Sequence, residues 1–126
     1  MSRGFCLDAG ALIALDRGHR QVMGLLKRTL DAGGSLEIPT AVLAQVWRDG
    51  ARQARLARLL RARGVALVDL DADSARAIGV MCGHAGVSDV VDGQVALHAR
   101  RRGLAVLTSD AVDIATLDPT LVIIEV

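Results

Sequence analysis

Apolar residues along this chain follow two alternating patterns. Short runs bounded by Gly, Pro or Asp read as buried strands: Phe5 to Asp8, Leu36 to Ile38 closed by Pro39, Val65 to Leu70, Leu104 to Leu107, and Leu121 to Ile124. Between them, apolar positions three and four apart read as helices. These are Ala11 to Gly18, Gln21 to Leu30 with Val22, Leu25, Leu26 and Leu30 on one face, Ala41 to Arg48, Ala51 to Arg63, Ala72 to Gly83, and a helix running to Arg102. Ser88 or Asp89 caps that last helix and Gly103 closes it. Alternation of this kind predicts an α/β fold: a mainly parallel sheet of roughly five strands with helices on both faces.

At 126 residues, with 52% hydrophobic and 23% charged residues, the chain reads as one domain, 1–126, large enough to close a core. It shows no repeat, linker or low-complexity segment. No apolar run is long enough to span a bilayer, and Met1-Ser2-Arg3-Gly4 leads straight into a strand, so a cytoplasmic protein with no membrane contact is expected. Cys6 and Cys82 match no metal spacing and read as inert thiols. The net charge is only +1, and every basic residue but Lys27 is Arg. Phe5 and Trp47 are the only aromatics, which argues against a base-stacking platform.

Three aspartates change the picture. Asp8 ends the first strand, Asp110 follows the fourth through Thr108-Ser109, and Asp92 falls one turn inside a helix among Val91, Val95 and Ala96. Asp8 and Asp110 each have an equal reading as helix caps. Asp92 does not: no Arg or Lys lies between positions 77 and 99, and Asp89 sits three residues earlier on the same helical face. Unpaired acids at the carboxyl edge of a parallel sheet repel one another unless a proton or cation intervenes. Together they point to a hard divalent cation, Mg2+ or Mn2+. Asp113 caps the segment after it or touches a metal-bound water, and capping is favoured. Asp16 is expected to face solvent, Asp69, Asp71 and Asp73 to form a solvated turn, and Glu37 to be a strand residue rather than a ligand. His19, His84 and His98 are scattered and form no triad.

Arg48, Arg52, Arg55, Arg58 and Arg61 recur every three or four residues, as one helix face would, and Arg100-Arg101-Arg102 closes another helix. The first stripe is a candidate phosphate contact, which the resemblance below makes RNA, against the plain alternative of a solvated face. Leu56, Leu59 and Leu60 on the same helix are expected to face the core. Thr108 and Ser109 hydrogen-bond a phosphate oxygen or a ligand carboxylate, or are simply polar turn residues.

Four motifs in order make the chain resemble the PIN-domain ribonucleases, in particular the toxin component of VapBC toxin–antitoxin pairs. They are Leu7-Asp8-Ala9-Gly10-Ala11-Leu12, Ile38-Pro39 through Trp47-Arg48, Asp89-Val90-Val91-Asp92-Gly93, and Thr108-Ser109-Asp110, with 18 residues from Asp92 to Asp110. The resemblance covers nearly the whole chain. It implies a three-layer αβα sandwich and Mg2+- or Mn2+-dependent cleavage of RNA, with Asp8, Asp92 and Asp110 as catalytic and metal-holding residues. It also implies a homodimer and a cognate antitoxin whose C-terminal segment blocks the acidic pocket. The family's fourth acid, usually Glu, corresponds here to Gln45. Its carbonyl oxygen can hold a metal-bound water but carries no charge. Weaker metal binding, a Mn2+ preference or an inactive enzyme are the alternatives, and Asp89 is a candidate to compensate.

Two other classes compete. One is a PIN-like module that binds RNA or a protein without cleaving, supported by Gln45. The other is a phosphoryl-accepting receiver or phosphatase. The phosphatase wants an acid two residues past Asp8, where Gly10 stands, and the receiver wants a lysine near the phosphate, where Lys27 is badly placed.

Overall fold

The computed structural model describes residues 3–126. Five strands form the sheet: β1 (Gly4–Leu7), β2 (Ser35–Pro39), β3 (Val65–Val68), β4 (Ala105–Thr108) and β5 (Ile123–Glu125). The helices are α1 (Ala9–Asp16), α2 (Arg20–Asp31), α3 (Thr40–Val46), α4 (Ala54–Leu60), α5 (Ala72–Ala85), α6 (Val90–Arg102) and α7 (Ala111–Leu117). Strand order is β3-β2-β1-β4-β5, and every neighbouring pair is parallel. The chain winds outward from β1 through β2 to β3, then returns to β4 on the other side of β1. The winding therefore reverses between β1 and β4, the place where open parallel sheets gather ligands at their carboxyl ends. Asp8 follows β1 there and Asp110 follows β4.

Helices α1, α2 and α4 cover one face, while α6, flanked by α5 and α7, covers the other. Helix α3 packs against both α1 and α6. This is the αβα sandwich, built because both faces of the central strands are buried: Cys6, Leu7, Val106 and Leu107 are apolar on both sides, while β2 turns Leu36 and Ile38 to one face and Glu37 to the other. Leu56 and Leu59 of α4 join that core, and Leu60 packs against it. Phe5 is half-buried against the same core.

Helix α6 packs on α5 near its start and is clamped to the sheet near its end. Near its start, Gly93 lets α5 approach closely, since a Cβ there would lie 2.5 Å from Ile78 Cγ2. Near its end, the buried Glu37 of β2 accepts from His98 Nε2 at 2.7 Å and from Arg102 Nε and Nη2 at 3.1 Å each. Ser35 Oγ donates to the same carboxylate at 2.7 Å. Burial opposes the charge of Glu37, but the bonds from Arg102, Ser35 and His98 outweigh it and hold the carboxyl at about 2. Glu37 is thus a strand residue that clamps a helix. His19 caps α2 through Nδ1, and His84 lies exposed on α5. Burial pushes both Cys6 and Cys82 thiols up, which keeps them unreactive.

Several boundaries differ from those the pattern predicts. The helix expected from Ala51 to Arg63 contracts to Ala54–Leu60, because Trp47 turns extended (ψ 129°) and the segment after it forms a turn around Gln53. Gln53 Oε1 accepts the N–H groups of Arg48 at 2.8 Å and Asp49 at 3.0 Å, and its Nε2 donates to Val46 O at 3.0 Å. The arginine stripe is consequently not one helix face: Arg48 and Arg52 precede α4, and Arg61 is its C-cap. Helix α5 passes Gly83 and ends at Gly86, the glycine that adopts the left-handed cap (φ 70°). Helix α7 begins directly after Asp110, so Asp113 lies in its first turn and caps nothing after it. The last strand starts at Ile123, two positions later than Leu121. Asp16 is half-buried rather than solvated, since Oδ1 accepts from Leu56 N at 3.3 Å and joins α1 to α4.

Candidate metal centre

Asp8 stands where β1 turns into α1. Its Oδ1 accepts from Ala9 N at 2.7 Å and its Oδ2 accepts from the Thr108 hydroxyl at 2.7 Å. Thr108 is fully buried and its Oγ1 also accepts from Asp110 N at 2.8 Å. One hydroxyl therefore sets both the carboxylate after β1 and the turn that carries Asp110 after β4. The close approach of these two turns needs Gly10: a Cβ there would collide with Ser109 Oγ and lie 2.9 Å from Ser109 N. Asp92 arrives from the opposite side, in the first turn of α6. Asp89 is the N-cap of that helix, with Oδ1 accepting from Val91 N and Asp92 N at 3.0 Å each.

One oxygen from each of Asp8, Asp92 and Asp110 lies within 4.8 Å of the others. Asp8 and Asp92 are buried and Asp110 is exposed, so the cluster opens to solvent on one side. Burial, then repulsion by Asp8, Asp89, Asp110 and Asp113, pushes Asp92 up to about 7. Among the described residues no hydrogen bond reaches the Asp92 carboxylate to offset burial and repulsion. Burial also raises Asp8, against the lowering effect of Thr108 and Ala9.

The donor set fits a hard divalent ion. Ligands about 2.1 Å from a Mg2+ ion sit roughly 3–4 Å apart, the spacing these oxygens can close to. The set is all carboxylate, with no His or Cys, which favours Mg2+ or Mn2+ over zinc. An ion there would also answer the uncompensated charge at Asp92.

The other candidate residues fall elsewhere. The capping bonds of Asp89 give it a structural task, although its charge acts on Asp92. Gln45 is exposed in a hollow lined by Ile13, Asp16, Arg17, Val46, Arg48 and Gln53, at the end of α1 opposite to Asp8. None of the three clustered aspartates lines that hollow. Arg48 Nη1 donates to Ala44 O at 3.1 Å and Trp47 O at 2.7 Å, Arg52 lies 3.8 Å from Asp49, and Arg55 Nη1 donates to Asp16 O at 3.2 Å. All three arginines are exposed. Ser109 is exposed beside the cluster, whereas Thr108 is sealed from solvent and bonds the Asp8 carboxylate, a position that does not fit the RNA contact expected of it.

Thr108 makes the carboxylate bond that is one of its expected roles, whereas spacing reveals neither the close approach at Gly10 nor the buried amide of Gln94. Gln94 is buried, with Oε1 accepting from Ala41 N and Nε2 donating to Val68 O, each at 3.0 Å. The only signal for it in the sequence is an amide among the apolar residues of α6.

A PIN domain family model matches residues 5–116, a span that includes all three aspartates. The crystal structure of VapBC2 from Rickettsia felis bound to a DNA fragment from their promoter matches with a TM-score of 0.73 and 16% identity. That match covers 97% of this chain and 98% of the other. At this identity the likeness is one of fold. No curated protein matches the chain.

Proposed function

The chain belongs to the PIN domain family, and we propose from that premise that it is a divalent-metal-dependent endoribonuclease, the toxin of a VapBC-type pair. The observation that carries this reading is the cluster of Asp8, Asp92 and Asp110 within 4.8 Å at the β1–β4 reversal, with Asp92 uncompensated. Asp8, Asp92 and Asp110 would hold one or two Mg2+ or Mn2+ ions. A bound ion supplies positive charge against the phosphodiester and acidifies the attacking water. Thr108 keeps Asp8 aimed at the cluster, and Asp89 fixes the first turn of α6 so that Asp92 reaches it. Asp92, raised to about 7, gives up its proton readily as a cation approaches. Ser109 lies at the open side, where a phosphate oxygen would arrive, and Arg48, Arg52 and Arg55 would hold the RNA backbone further along α1.

The antitoxin is the second part of the proposal. An apolar hollow between α1, α2 and α4 is lined by Leu15, Met23, Leu26, Leu30 and Leu59, with Arg55 and Arg58 at its rim. It suits an amphipathic helix carrying acidic residues. A homodimer and a cytoplasmic setting complete the proposal; among the described residues no helix is long and apolar enough to cross a membrane.

The competing reading is a PIN module that binds RNA or protein without cutting. It is favoured by Gln45, which adds no carboxylate to the cluster. The deciding experiment maps RNA 5′ ends in bacterial cells after brief induction, wild type against Asp92→Asn. New ends at a few positions, absent in the variant, establish the nuclease. Identical maps from two well-expressed proteins favour the binding module.

A further inference from the structure

We propose that Gln94 is a positioning residue for the metal centre, bracing α6 so that Asp92 stays with Asp8 and Asp110. The inference rests on the metal-centre reading above. Gln94 lies two positions past Asp92, about 200° around the helix, so its side chain leaves α6 on the far side from the carboxylates. It is 3% exposed. Its carbonyl oxygen accepts from the N–H of Ala41, and its amide nitrogen donates to the carbonyl of Val68, each at 3.0 Å. Ala41 lies in the first turn of α3, where N–H groups have no partner in their own helix. The N-cap of α3 is Pro39, which offers no side-chain bond. Val68 is the last residue of β3, an edge strand. A single amide thus ties the front of α6 to two other elements.

The brace answers a specific force. Asp92 on α6 faces Asp8 and Asp110 at the sheet edge with oxygens within 4.8 Å, and repulsion between these carboxylates pushes the front of α6 away from that edge. On the sheet side the polar restraint nearby is the long Cys6 Sγ contact to Val95 O, 3.7 Å. Burial of Val95 and Ala96 presses the helix down, but apolar packing is non-directional and resists rotation weakly. Two amide hydrogen bonds are directional and fix both rotation and register. The residue type follows from the task. It must donate to Val68 O and accept from Ala41 N at once, in a buried place that a charge would make costly, which a Gln does and a Glu does not.

The test compares Mn2+ affinity, by titration calorimetry, for the wild type, Gln94→Met and Val22→Ala. Met fills the volume of Gln but pairs with neither Ala41 nor Val68. Val22→Ala truncates the buried core side of α2, away from the site, and controls for general loss of stability. The expected result is an affinity lowered about tenfold or more in Gln94→Met and within about twofold of wild type in Val22→Ala, the range of outer-shell effects on metal sites. A second readout uses the wild type alone. Saturating Mg2+ slows amide exchange at Ala41, because coupling between the ion and the brace is reciprocal. Unchanged affinity in Gln94→Met, equal losses in both variants, or exchange at Ala41 that ignores Mg2+ each overturns the brace. Absence of Mn2+ binding by the wild type overturns the metal-centre reading itself, and the brace with it.

Discussion

The Thr108 hydroxyl donates a 2.7 Å hydrogen bond to Asp8 Oδ2 and so joins two strand ends that lie 100 residues apart in the chain. Because the same oxygen accepts from Asp110 N, Thr108 registers two of the three clustered acids against each other. A hydroxyl that is fully buried here serves the site without touching a substrate.

Replacing Thr108 by Val keeps the shape and removes both bonds. Asp8 loses a donor and the Asp110 N–H loses its acceptor. Urea denaturation should show a loss of about 1–3 kcal/mol, the cost of leaving buried polar groups unpaired. Thr108→Ser should recover most of it. Equal stability of the Val and Ser variants would sink the assignment.

Gly10→Ala addresses the same junction by sterics. The added Cβ would collide with Ser109 and push the turn after β1 from the turn after β4. The protein should still fold, with a loss of about 1–3 kcal/mol from overpacking. Mn2+ affinity should fall about tenfold, since outer-shell displacement acts on the ligands. A variant that binds Mn2+ as the wild type does would show that the two turns are not coupled.

Asp92→Asn separates stability from function. The neutral amide removes the repulsion from Asp8, Asp89, Asp110 and Asp113, so the metal-free protein should melt higher at pH 8 than the wild type. The same change removes a proposed metal ligand, and on that proposal RNA cleavage should fall by at least about 100-fold. Lower melting of the variant at pH 8 would contradict the uncompensated charge.

The pH dependence follows from two groups with opposite signs. Asp92 in the folded protein is raised to about 7, so its proton stabilises the fold fully below about pH 4, and that contribution is lost as pH rises through 7. Glu37 is lowered to about 2, so its contribution is full above about pH 4 and is lost as pH falls through 2. Metal-free protein should therefore melt highest near about pH 4 and lower at both pH 8 and pH 2.5. Saturating Mn2+ should remove the decline on the alkaline side, because the ion takes the place of the proton. Scanning fluorimetry across pH, with and without Mn2+, checks both limbs. A metal-free melting point that holds from pH 5 to pH 8 would rule out the raised Asp92.

Elements were legible where burial is periodic. Val22, Leu25, Leu26 and Leu30 mark the inner face of α2, and Leu36 to Ile38 mark a strand buried on both sides. The arginine stripe misled for the same reason. Periodicity from Arg48 to Arg61 looks helical, but Gln53 folds its side chain back onto the backbone of Val46, Arg48 and Asp49 and breaks the helix there. Side-chain capture of backbone groups leaves no periodic trace.

Sequence alone determined the alternation of strands and helices, the placement of Asp8 and Asp110 after strands, and the oddity of Asp92 on an apolar helix margin. Each follows from local chemistry: strands and helices bury apolar residues with different periods, and an unpaired acid is costly near a core. Only the tertiary structure decided that these acids meet within 4.8 Å, that Thr108 turns inward to Asp8, that Gln45 lies at the other end of α1, and that Gln94 reaches Ala41 and Val68. The physical reason is that a hydrogen bond or a repulsion depends on ångström distances between atoms, whereas residue spacing reports only which side of an element faces the core.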